Sequence, residues 1–370
     1  MVRHFFPALL LCSILGWASC ASADDDPVVR NKKLSEWLAI LHDDPSPKQR
    51  LVALVVAVEL VGPKNSNVLP AVLKELKENS SVDVRTRCAD RLIRFSSTPE
   101  KIVDPLIAAL SADQEGKVRE SAAATLGKLD RNAFPAVKAL TGALKDSHPG
   151  VRAAASWSLG QLSSVDSEIA KGALPALTDC LADSDVAVRT NATYALGRVG
   201  QLAATATTAL GEVAAGDRIS AVRKEACKTL GAIGPKAAPA VPSLVKALHD
   251  PQVDVRQQAA IALGKIGPDA GPALPELIKA ARETDKSVRC HAIHAIGSLG
   301  KSGIGAIPEL VKIMKDDDVI EVKLAAIDEL ASFGPDAAEA VEPLKLAAKD
   351  GRIAIREAAN DALKKIQKMP

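Results

Sequence analysis

Cys290, His291 and His294 come nearest to a metal-binding constellation in this chain. His291 and His294 are three residues apart, so on a helix they share a face. A tetrahedral site needs further ligands from another element, and no other His falls on a helix that would face this one. The pair reads as a surface feature, and no metal or other cofactor is expected. Gly300-Lys301-Ser302 ends like a phosphate-binding loop, but that loop needs Gly where Ala295 stands, and a strand before it. Asp316-Asp317-Asp318 lacks the register of a calcium loop and reads as solvated charge. No Gly-x-Ser-x-Gly nucleophile turn occurs. Trp157 and Tyr194 are different, because aromatic residues make up only 2% of the chain and both types favour interfaces.

A repeat positions these residues. With Arg256 as position zero, Asp250 lies six before it, Ala259 three after, Leu263 seven after and Gly264 eight after. The register recurs at Asp113/Arg119, Asp146/Arg152, Asp183/Arg189 and Asp217/Arg223. It holds at Arg289 with Glu283 in the acid place, and mostly at Asp317/Lys323 and Asp350/Arg356. Asn79/Arg85 and Asp44/Arg50 are weaker copies. Successive position-zero residues are 33 to 37 residues apart, a period that signals a solenoid of stacked helical hairpins. In each unit a first helix carries Pro near its start, as at Pro242, and the acid comes next in a loop. A second helix begins near the Val-Arg pair. Gly-Pro at 62–63, 234–235, 267–268 and 334–335 ends it. The acid can accept from N–H groups at a helix start, and the Arg fork can bridge to an acid of its own or a neighbouring repeat. The ladder of these residues is therefore expected to be structural.

Hydrophobic residues make up 47% of the chain, many of them Ala, which suits closely packed helices. Lys and Arg number 47 against 45 Asp and Glu, a balance that argues against nucleic acid or a polybasic membrane patch as partner. At the N-terminus, Arg3, the apolar run Phe5 to Leu15 and Ala21-Ser22-Ala23 read as an export signal over 1–23, too short for a membrane span. Cys20 after Ala18-Ser19 is the competing lipid-anchor site. Residues 24–30 form an acidic linker and 31–370 the array, opening with a helix from Asn31 to Leu41. Cys88, Cys180, Cys227 and Cys290 fall in separate repeats, and read as small buried hydrophobes more than as a disulfide framework.

The Asp…Val-Arg…Ala-Ala…Leu-Gly register resembles HEAT repeats, in particular the HEAT-like class named after phycobilisome lyases. The resemblance covers about residues 31 to 370. It implies an all-α, right-handed superhelix of about ten hairpins, an Asp–Arg ladder, and second helices on the concave side. It constrains function little, since the fold hosts scaffolds, chromophore lyases and a hydroxylase. The hydroxylase binds iron through His-Glu pairs, and this chain has no His-Glu dipeptide.

Helical geometry places positions −1, +3, +4 and +7 of the second helix in the core, and +5 and +9, flanked by +1 and +2, opposite. The candidate binding face is Trp157, Asn191, Tyr194, Arg198, Lys228, Ile261, Lys265, His291 and His294. Trp157 and Tyr194 either cover neighbouring apolar surface or anchor a partner. The expected function is an exported scaffold that binds a protein or peptide without catalysis. The alternatives are an enzyme of the same fold and a scaffold anchored through Cys20.

Overall fold

The computed structural model describes residues 26–367. The chain divides into two compact units, Met1–Thr125 and Leu126–Pro370. The export signal over 1–23, the start of the linker and Cys20 lie outside the described residues.

The first unit opens with a two-stranded antiparallel ribbon, Val28–Val29 paired with Lys32–Lys33. Arg30 and Asn31 join the strands at φ 51° and 61°. Positive φ at both central residues suits a tight hairpin and cannot run into a right-handed helix. The first helix therefore starts at Leu34, not at Asn31 as the apolar spacing suggests. Trp37 Nε1 donates to the Val29 carbonyl at 2.8 Å and holds the ribbon on that helix. Helices Pro47–Val55, Val68–Glu78, Val82–Arg91 and Val103–Ala112 come next. Val56–Val61 continues the second of these five helices as a π-helix. The stretch from Arg50 to Gly62 is one residue longer than from Arg223 to Gly234. A wider turn absorbs the extra residue without breaking the helix.

The second unit repeats one hairpin. Its second helices are Pro149–Ser163, Val186–Val199, Ser220–Ile233, Val253–Ile266, Lys286–Ser298, Ile320–Ser332 and Ile353–Gln367. The core positions fall where the register places them: Ala155, Ala192, Ala226, Leu159, Leu196 and Leu230 are fully buried. The Gly-Pro stops are real, with Gly234 and Gly267 at φ 71° and 77°. Beyond each stop the chain is ordered rather than looped. Gly234–Ala240, Gly267–Ala273 and Gly334–Ala340 are 3-10 turns leading into the next first helix. At three residues per turn every third side chain aligns, so Ala237 and Ala240, and Ala270 and Ala273, are buried together. Asp130 takes the glycine place at φ 48°.

Position +8 sets the spacing of the second helices. A Cβ on Gly160 would lie 2.8 Å from the Ala195 Cα, which no side chain tolerates. Successive second helices consequently pack along their length, while successive first helices touch far less. That inequality tilts each hairpin on the next, so within this unit the second helices line the inner side. On the last helix Asn360 and Lys364 are exposed, where earlier repeats carry buried Ile327 or half-buried Gly297.

Candidate binding face and its supporting ladder

In the second unit Asp183, Asp217, Asp250 and Asp317 each do two jobs. Asp183 Oδ1 accepts the N–H of Asp185 at 2.8 Å, closing the turn before its helix. The same carboxylate takes the guanidinium of the preceding repeat, with Arg152 Nε and Nη2 at 2.7 and 2.8 Å. Each Arg from Arg85 onward also ties back to its own loop, as Arg152 Nη1 does to the Asp146 carbonyl at 2.8 Å. One side chain thus fixes the offset between two consecutive loops. Arg189 to Asp217 and Arg223 to Asp250 repeat the fork. The longer Glu283 receives one bond, from Arg256 Nε at 2.9 Å. Arg289 donates through Nη2 to Asp317 at 3.1 Å. Its Nε lies 2.8 Å from the other oxygen, as an ion pair without hydrogen-bond alignment. In the first unit Arg85 forks to Asp113, and Arg119 donates to the Asp113 carbonyl at 2.9 Å.

These contacts outweigh burial electrostatically. Burial acts to raise the carboxyls of Asp217 and Asp250, yet the guanidinium bonds from Arg189 and Arg223 hold both below the ordinary carboxylate range. At Asp183 the Arg152 bond is itself the largest influence and lowers the carboxyl.

The expected rung to Asp350 does not form. Lys323 turns back to the carbonyls of Met314 and Lys315. Arg352, two residues along in the same loop, takes the Asp350 carboxylate through Nε and Nη2, both at 2.8 Å. Arg356 bonds only the Asp350 and Gly351 carbonyls of its own loop. A single ammonium lacks the fork that serves two loops at once.

On the inner side, Trp157, Tyr194 and Ile261 are half-buried, while Lys228 and His294 are exposed. The other candidates are partly engaged. Asn191 Nδ2 donates to the Ala153 carbonyl of the preceding second helix at 2.9 Å, so its amide holds repeats together. Arg198 Nη2 donates to Ser164 Oγ at 2.9 Å. The Lys265 stem lies 3.3 Å from where a Gly231 Cβ would stand, with its head in solvent. His291 Nδ1 donates to its own helix at the Ser287 carbonyl, 2.6 Å away. His294 Nδ1 meets Glu329 Oε1 at 2.8 Å, and this bond raises its pKa above the ordinary imidazole value.

Glu329 escaped the sequence reading. It stands at +6, where the other second helices from Arg119 onward carry Ser, Ala or Thr, and its carboxylate fills the space a Cβ on Gly297 would need. An acid in a row of small residues was the available signal. Glu75 also escaped it. Buried in the first unit, it accepts from His42 Nδ1 at 2.7 Å and Asn79 Nδ2 at 2.6 Å. No group of three or more His, Cys, Asp and Glu that could hold a metal occurs among the described residues. None of their helices is long and apolar enough to cross a membrane.

A family model described as HEAT repeats matches residues 103–197, 207–275 and 241–331, together more than half of the chain. The crystal structure of an engineered protein superposes with a TM-score of 0.62 at 22% identity, covering 91% of this chain and 99% of that one. At that identity it speaks for the fold alone. No curated relative matches the chain by sequence.

Proposed function

We propose that this chain, which belongs to the HEAT-repeat family, is an exported, non-catalytic scaffold that binds a protein or peptide along its second helices. The observation that carries this reading is the row of Trp157, Tyr194 and Ile261. The three are half-buried, stand opposite the core and line the inner side of the second unit. Rigid aromatics on a curved, preformed surface supply binding area at little entropic cost. Export is supported by the charge, apolar run and Ala-Ser-Ala of residues 1–23. The Asp…Val-Arg…Leu-Gly register supports placement in the phycobilisome-lyase HEAT-like class.

Affinity capture with the mature protein, then titration of the captured partner, tests the binding reading. Trp157→Ala and Tyr194→Ala should each weaken binding by about 2 kcal/mol with little change in melting temperature. If Trp157→Ala unfolds the protein as badly as Leu159→Ala, the aromatic is packing and the face is wrong. The intact mass of the exported product should correspond to a start at Asp24. A diacylglyceryl-modified Cys20 would instead make the chain a lipoprotein.

A further inference from the structure

The inner side of the second unit is electrically polarised along its length. On the helices between residues 149 and 266 it carries Arg198, Lys224, Lys228 and Lys265 against Glu225. On the helices between residues 286 and 367 it carries Asp328, Glu357 and Asp361 against Lys365, with Glu329 at its edge. Part of this is compensated locally. Lys224 pairs with Asp254 at 2.8 Å, Lys228 with Glu225 at 3.1 Å, and Lys364 with Asp361 at 2.8 Å. Glu329 is taken by His294. Arg198, Lys265, Asp328 and Glu357 have no ion-pair partner among the described residues. Arg198 and Lys265 stand on the half that holds Trp157, Tyr194 and Ile261, and Asp328 and Glu357 on the other.

We infer that the partner is an extended segment with segregated charge, one half acidic and carrying an apolar or aromatic side chain, the other half basic. This rests on the binding reading above. The acidic, apolar half lies over Trp157 to Ile261, where Arg198 and Lys265 complement it. The basic half lies over Asp328 and Glu357. The charges are ordered along a single row of helices, so the partner must order its own charges in one dimension. Packed helices are about 8–10 Å apart, and Trp157 and Glu357 are six helices apart, so the row spans about 48–60 Å. An extended chain of roughly 15–18 residues covers that distance.

The probes are two fluorescent peptides of about 18 residues and identical composition, one with acidic and basic blocks and one Phe in the acidic block, the other with the charges interleaved. The segregated peptide should bind at least about tenfold more tightly at low salt, and added salt should shrink the difference. The double variant Asp328→Lys/Glu357→Lys, both at exposed sites, should abolish the preference while circular dichroism stays unchanged. Equal affinity for the two peptides, or no binding of either, overturns the inference. A captured natural partner whose affinity falls in Trp157→Ala but not in the double variant also overturns it, and leaves the binding reading intact. A partner indifferent to Trp157→Ala and Tyr194→Ala removes that reading itself.

Discussion

Within the second unit, the rungs from Asp183 to Asp317 and the rung at Asp350 start from nearly the same sequence and end in different structures. In the interior, one guanidinium spans two loops and an almost dry carboxylate receives it; the Arg223 and Asp250 side chains are 12% and 7% exposed. At the end, Lys323 serves the last turn of its own first helix and Asp350 is satisfied from within its own loop. The ladder thus depends on geometry more than on charge. A cation at position zero is not enough, because two bonds to the next acid and one to the last carbonyl must leave the same planar group.

Acid should break the interior first, and this is the largest effect expected. The folded carboxyls of Asp183, Asp217 and Asp250 titrate below the ordinary value, which is about 3.9 in an unfolded chain. Groups lowered in this way contribute stability that is complete above the unfolded pKa and lost as pH falls through the folded one. Unfolding free energy should therefore hold down to about pH 4 and decline below it. Stability that rises as pH drops from 4 would show that the rungs do not stabilise the fold. Asp350 is also lowered, chiefly by the Arg352 side chain, but a partner two residues away links no repeats.

Arg223→Ala strands the Asp250 carboxylate and should cost about 3 kcal/mol in urea unfolding. Arg356→Ala at the end, which loses only bonds to carbonyls, should cost about 1 kcal/mol. Equal losses would erase the distinction between the two regions. The converse experiment is Lys323→Arg, which supplies the missing fork and should add about 1 kcal/mol if Asp350 exchanges partners. Hydrogen exchange across Ile353–Gln367 reads this directly, and unchanged protection would mean that Arg352 keeps the acid. Smallest of all is the His294–Glu329 clasp. The hydrogen bond from Glu329 raises His294 in the folded state, so its contribution is present below the unfolded value and lost as pH rises through the folded one. An NMR titration should place His294 above 6.5, the ordinary value, and Glu329→Gln should bring it down. A midpoint indifferent to that substitution would sink the assignment.

Most of the fold was legible because its causes are local or periodic. Apolar residues at −1, +3 and +7 demand a buried helical stripe wherever they recur, and Gly with Pro behind it stops a helix in any context. The errors were also local, arising where a different period was in force. Arg30-Asn31 hides a two-residue hairpin under helical spacing, and Gly-Pro-x-Ala hides a three-residue period under one of 3.6.

The sequence alone determined the repeat, the hairpin and the core, since each arises from residues within one turn or one unit of one another. The tertiary structure alone decided which neighbour each polar side chain meets. Arg152 finds Asp183, Asn191 finds the Ala153 carbonyl, and Glu329 settles over Gly297. These partners are about thirty residues or more apart, and whether they touch depends on how closely successive helices approach. Glycine and alanine contacts at +8 and +6 set that distance, and it exists only once the hairpins are stacked. The same stacking leaves Trp157 and Tyr194 half-exposed on the inner side, where a lone hairpin has no inner side to offer.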